Sequence, residues 1–146
     1  MKLLIGSDHA GYARKQALVR HLIESGWDVE DLGTHSPEAT DYPDYAVAVA
    51  EGVARGEAEA GILLCGTGNG VCMTANKVPG IRAALAWNPE LARLARAHNN
   101  ANILCLPARF ITDEEAIAIA RAWLEAAFEG GRHARRIEKV HALTGR

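Results

Sequence analysis

Cys65 ends the apolar run Ile62-Leu63-Leu64 and opens the loop Gly66-Thr67-Gly68-Asn69-Gly70, with glycine at alternate positions. A thiol at the mouth of so flexible a loop has four chemical readings: core filler, redox centre, nucleophile or base. The loop has two. It is either a tight turn that needs positive φ, or an anion cradle whose backbone N–H groups face a negative charge from a helix N-terminus. Its place between an apolar run and a helical pattern favours the cradle. The same helix N-terminus would stabilise a thiolate at Cys65, whereas a buried thiol elsewhere is ordinary packing. Cys72 and Cys105 fall at apolar helix and strand positions and read as core.

The spacing excludes several familiar sites. G-x-G-x-G is not the G-x-G-x-x-G of a dinucleotide site, and no G-K-[ST] follows for a nucleotide-phosphate loop. A cysteine phosphatase would need arginine where Val71 stands. A Cys–His hydrolase with Cys65 as nucleophile remains a rival, as does a phosphate-ligand binding or sensor domain that uses the same loop without turnover.

Other residues able to do chemistry lie far apart in the chain. Asp8 and His9 follow the first apolar run, and His98 and Asn99 precede a later one. His98 reads either as a solvated loop histidine or as a group near the ligand edge of a sheet. Arg132, His133, Arg135 and Arg136 form a basic cluster. Arg132 and Arg136, four apart, share one side of a helical turn and suit a phosphate; the plainer reading is a solvated basic face. Tyr42, at a helix start, is a candidate lining residue.

The elements that must position these groups alternate strand and helix. Strands are expected at Lys2 to Gly6, Trp27 to Leu32, Ala60 to Cys65, Arg82 to Trp87 and Asn102 to Leu106. Leu18, Val19, Leu22 and Ile23 make a helical stripe that Gly26 ends. Further helices are expected over Tyr45 to Ala54 and Val71 to Asn76. Asn88-Pro89 supplies an N-cap and N1 proline for a helix to about Ala97. Thr112-Asp113-Glu114-Glu115 supplies a capping box for one ending near Phe128. After the Gly130-Gly131 break, a basic helix from Arg132 carries Ile137 and Val140 on one side, as a free arm would. Repeated βα units imply an α/β, three-layer Rossmann-like fold, with a five-stranded parallel sheet and a C-terminal helical arm. Ligands in such folds bind beyond the carboxyl ends of the strands. The long polar segment GTHSPEATDYP is expected to be functional.

The chain has 146 residues, 49% apolar and 23% charged, with a net charge of −2. One domain over residues 1–146 is expected, with neither the basic surface for nucleic acid nor a membrane span. Three cysteines without a C-x-x-C pair fit free thiols in a reducing cytoplasm.

The motifs GSDHAG, TDYPDYA, CGTGNG, ANKVPGIRAA, HNNAN and EGGRHARR span nearly the whole chain. Taken together they resemble the type B ribose 5-phosphate isomerases, a group that includes galactose 6-phosphate isomerase subunits. The resemblance implies an aldose–ketose isomerase without metal or cofactor, built as a homodimer or dimer of dimers with sites shared between subunits. It implies that Cys65 is the base moving a proton between C2 and C1, and that His98 opens the furanose ring. Thr67 and the amides from Gly66 through Gly68 and Asn69 to Gly70 would hold the enediolate oxygens. Asp8, Tyr42 and Asn99 would contact sugar hydroxyls, and His9, Arg109, Arg132 and Arg136 the phosphate. Some members of the family use a carboxylate just after the loop in place of the thiol; Val71 cannot serve, which leaves Cys65. Ribose 5-phosphate is the expected substrate, with allose 6-phosphate or galactose 6-phosphate as alternatives.

Overall fold

A computed structural model describes residues 1–146. Five parallel strands form its sheet: β1 (Lys2–Ser7), β2 (Asp28–Asp31), β3 (Ala60–Cys65), β4 (Ala83–Leu85) and β5 (Ile103–Pro107), in the spatial order β2-β1-β3-β5-β4. The helices are α1 (Tyr12–Glu24), α2 (Tyr42–Ala54), α3 (Asn69–Asn76), α4 (Pro89–Ala97), α5 (Asp113–Glu125) and α6 (Arg132–Thr144). Strand side chains alternate between two cores. Leu3, Ile5, Ile62, Leu64, Leu104 and Leu106 meet α1, α4 and α5, where Trp123 is buried. Leu4, Leu63, Cys65, Ile103 and Cys105 meet α2 and α3 on the other face. The expected three-layer α/β architecture is therefore present, and both core strands, β1 and β3, are buried on both sides, as parallel strands must be.

Connections from β1 lead to β2 on one side, and those from β3 lead to β5 and β4 on the other. The strand order thus reverses between β1 and β3, and a crevice opens where their carboxyl ends diverge. Asp8 and Gly66 follow those ends directly.

Local chemistry sets the helix ends. Asn88 Oδ1 accepts from the Leu91 amide, and Thr112 and Glu115 close the expected capping box. α5 stops at Glu125, short of Phe128, because residue 126 turns to extended backbone, with Ala126 at ψ 148°. α2 begins at Tyr42 rather than Tyr45, with Pro43 in its first turn, where a missing N–H costs nothing.

The C-terminal helix is the expected arm. α6 meets its own sheet at few points, all near the amino end of β4. His141 Nε2 is 3.0 Å from Arg82 Nη1, and the Gly80 amide donates to the Arg146 carbonyl at 2.9 Å. A cavity of about 500 Å³ separates Ile137 and Val140 from Ile81 and Ala83. His133 is the one buried residue of the helix, while Val140 and Leu143 stay exposed.

Candidate active site

At the carboxyl edge, Asp8, His9, Tyr42, Cys65, Gly66, Thr67, Gly70, Met73 and Arg109 line an open pocket of about 410 Å³. Cys65 is the last residue of β3 and 5% exposed, so its thiol reaches the pocket from a buried base. The loop that follows is shaped by its glycines. Gly68 sits at φ 78° and its absent side chain leaves room for Leu85, whose Cδ1 would lie 2.5 Å from a Cβ there. Gly70 is pressed against the Tyr42 ring, which a Cβ would meet at 2.5 Å. These close approaches bring α3 in directly behind the loop. Its first-turn amides have no helical carbonyl to bond, and Gly70 of that turn lines the pocket. The Thr67 hydroxyl oxygen accepts from the Asn69 amide at 3.3 Å, which leaves its proton free to donate.

Two further contacts tie the rim together. His9 and Thr40 clasp each other: the His9 amide donates to Thr40 Oγ1 and the Thr40 amide donates to His9 Nδ1, both at 3.1 Å. With Nδ1 accepting, neutral His9 carries its proton on Nε2. Thr40 belongs to the polar segment GTHSPEATDYP, which thus orients a pocket residue. Arg109 donates its amide to the Gly66 carbonyl at 3.0 Å and lays its side chain across Gly66, where a Cβ would be 3.1 Å from Nη1. A guanidinium therefore stands beside the loop. Asp8 Oδ1 accepts from the Gly11 amide, which holds the turn after β1.

The remaining predicted residues lie elsewhere. His98 caps the end of α4 and precedes β5, so it and Asn99 sit at the amino edge of the sheet. The expectation that His98 lies near the ligand edge is overturned. The chain must run from His98 up the whole of β5 to reach that edge, and its partner β3 is six residues long, at roughly 3.3 Å each. There His98, Asn99, His133, Arg136, Ile137 and Val140 line a second cleft of about 220 Å³. The His98 and His133 rings stack with centroids 4.2 Å apart and planes 9° apart. Desolvation, then the charges of His98 and Arg132, hold His133 below the usual histidine pKa. Glu129 reaches the same place because residues after α5 are extended and its amide donates to the Ala97 carbonyl at 2.9 Å. Thr40 and Glu129 fall inside the motifs TDYPDYA and EGGRHARR, but no signal gave either of them, or Met73, a role; their places depend on how connecting segments pack.

A buried thiol, a ring of amide donors and a guanidinium can remove a carbon-bound proton and hold the oxyanion that results. The comparisons agree with that class of chemistry. A model of the ribose/galactose isomerase family matches residues 3–140, and the chain belongs to that family. It is 48% identical over 145 residues to ribose-5-phosphate isomerase B of Escherichia coli K12, covering 99% of this chain and 97% of that one. A Clostridium thermocellum ribose-5-phosphate isomerase B matches with a TM-score of 0.98 and 48% identity, over 99% of this chain and 98% of that one. The Mycoplasma genitalium enzyme, solved with bound ribulose-5-phosphate, matches with a TM-score of 0.95 and 48% identity, over 99% and 96%.

Proposed function

We infer that this chain interconverts ribose 5-phosphate and ribulose 5-phosphate, through an open-chain enediolate and with Cys65 as the base. The observation that carries the reading is the Cys65 thiol at the mouth of a loop of backbone donors, in a family one of whose members was solved with ribulose-5-phosphate. In this reading the Cys65 thiolate takes the proton from C2 of the open aldose and returns it to C1. The Thr67 hydroxyl and the loop amides carry the negative charge that builds on oxygen meanwhile. Asp8 and Tyr42 hold sugar hydroxyls, and His9 and Arg109 approach the phosphate.

His98 opens the furanose ring, Asn99 contacts the sugar, and Arg132 and Arg136 complete the phosphate site. The position of these four at the opposite sheet edge supports a shared site. In a two-fold homodimer each site takes Cys65 from one subunit and His98 from the other, and a tetramer would be a dimer of such dimers. Residues 1–146 act as one domain, and free thiols suit a cytoplasmic enzyme. No helix is long and apolar enough to cross a membrane.

The test is incubation with ribose 5-phosphate in heavy water. The expected result is ketose with solvent deuterium on carbon. Ketose-free mixtures would favour a binding domain, and release of inorganic phosphate would favour a hydrolase.

A further inference from the structure

His133 is an anomaly. Its side chain is 9% exposed, its Nε2 atom is buried, and no hydrogen bond reaches that atom. A buried nitrogen without a partner is uncommon enough to need a reason. Glu129 Oε1 lies 3.7 Å from it and 3.6 Å from His98 Nε2. Both distances are too long for hydrogen bonds. They are close to another spacing. A tetrahedral zinc ion with bonds of about 2.0–2.1 Å sets its ligand atoms roughly 3.4 Å apart. The nitrogens of His98 and His133 and the Glu129 carboxylate all lie within 4.8 Å of one another.

We propose that His98, His133 and Glu129 form a binding site for one zinc ion, which silences the enzyme by occupying the His98 lone pair. Two imidazoles and a carboxylate are a zinc donor set, and the cleft lined by Asn99 and Arg136 leaves the fourth position to water or an anion. Binding asks His98 to leave the stack. The two rings are nearly parallel, so His98, which is 36% exposed in its side chain, turns to bring its lone pair to the metal. Glu129, 52% exposed, closes by a few tenths of an ångström. Arg132 and Arg136 lie close by and oppose a cation, which sets a regulatory rather than a permanent affinity. The ion is an inhibitor and not a cofactor, because the His98 that it takes is the group that would open the ring. The silencing rests on the role proposed above for His98; the binding does not.

The test uses the full chain, cobalt(II) as a coloured probe, and zinc as its competitor. Cobalt is expected to bind at one equivalent per chain, with visible bands of a nitrogen–oxygen tetrahedral site and no thiolate charge-transfer band. Cys65→Ala should bind equally well, His133→Asn should not bind, and Glu129→Gln, at an exposed position, should bind at least about tenfold more weakly. Zinc should inhibit turnover reversibly with a chelator, and Glu129→Gln should need at least about tenfold more zinc for half-inhibition. Absence of cobalt binding, a thiolate band that Cys65→Ala removes, or undiminished binding by Glu129→Gln would overturn the site. Tight binding with undiminished turnover would overturn the silencing and count against the role of His98, while the site itself stood.

Discussion

The two clefts of this molecule are made from different materials. At the carboxyl edge the pocket is built around a backbone turn: the glycine loop, the clasp of His9 with Thr40, and a thiol fixed in the last residue of a buried strand, with the Arg109 guanidinium beside them. At the amino edge the cleft is mostly side chain: two stacked imidazoles, an exposed carboxylate beside them, and Arg136 of α6. The first is suited to holding a developing charge without moving. The second is suited to carrying protons and to closing on a ligand. Neither edge has both, and a single chain keeps the two a strand's length apart.

The sharpest way to break this division is at the thiol. Cys65→Ala should lower kcat by at least ~10²-fold, the low end for general-base catalysis, with folding intact. Near-normal kcat, measured by appearance of ketose, would remove the base from the carboxyl edge. A mixing experiment asks whether the two edges cooperate across chains. Inactive Cys65→Ala and inactive His98→Asn chains, unfolded and refolded together, form about half mixed dimers, each with one intact site; activity should return to roughly a quarter of wild type. A mixture that stays dead would place both residues in one chain's site.

Smaller effects should follow the kind of contact removed. Arg136→Ala takes a charged partner from the phosphate, worth ~1.5–3 kcal/mol, and should raise KM roughly tenfold or more with kcat less affected. Unchanged KM there and in Arg132→Ala would move the phosphate away from the amino edge. Thr40→Val removes one hydroxyl acceptor from the His9 clasp but leaves the Thr40 amide that bonds Nδ1. A loss of ~0.5–1.5 kcal/mol predicts a KM rise of about two- to tenfold. A larger rise would mean that the hydroxyl, not the amide, orients His9.

The carboxyl edge was the more legible of the two in sequence. Cys65, Thr67 and their glycines are contiguous, and Asp8 and His9 follow a strand with no intervening residue, so local pattern alone puts them at strand ends. Asn88-Pro89 and Thr112 to Glu115 announced their helices by capping chemistry that is equally local. His98 was misplaced because a residue before a strand and a residue after one look alike as loop residues, and only chain direction separates them. Glu129 and the path of α6 were illegible for another reason. They depend on where an extended segment runs after α5 and on pairings such as His141 with Arg82, 59 residues apart.

The strand order has a consequence for how the chain is assembled. β4 is made before β5, yet its hydrogen-bonded neighbour in the sheet is β5, which stands between it and β3. During synthesis Ala83–Leu85 emerges with no strand to join and must wait for Ile103–Pro107 to be laid against β3. Such non-local pairing is slow, because the intervening loop must close first. β4 should therefore be the last strand to gain protection from hydrogen exchange on refolding, and, held along one side only, the first to lose it.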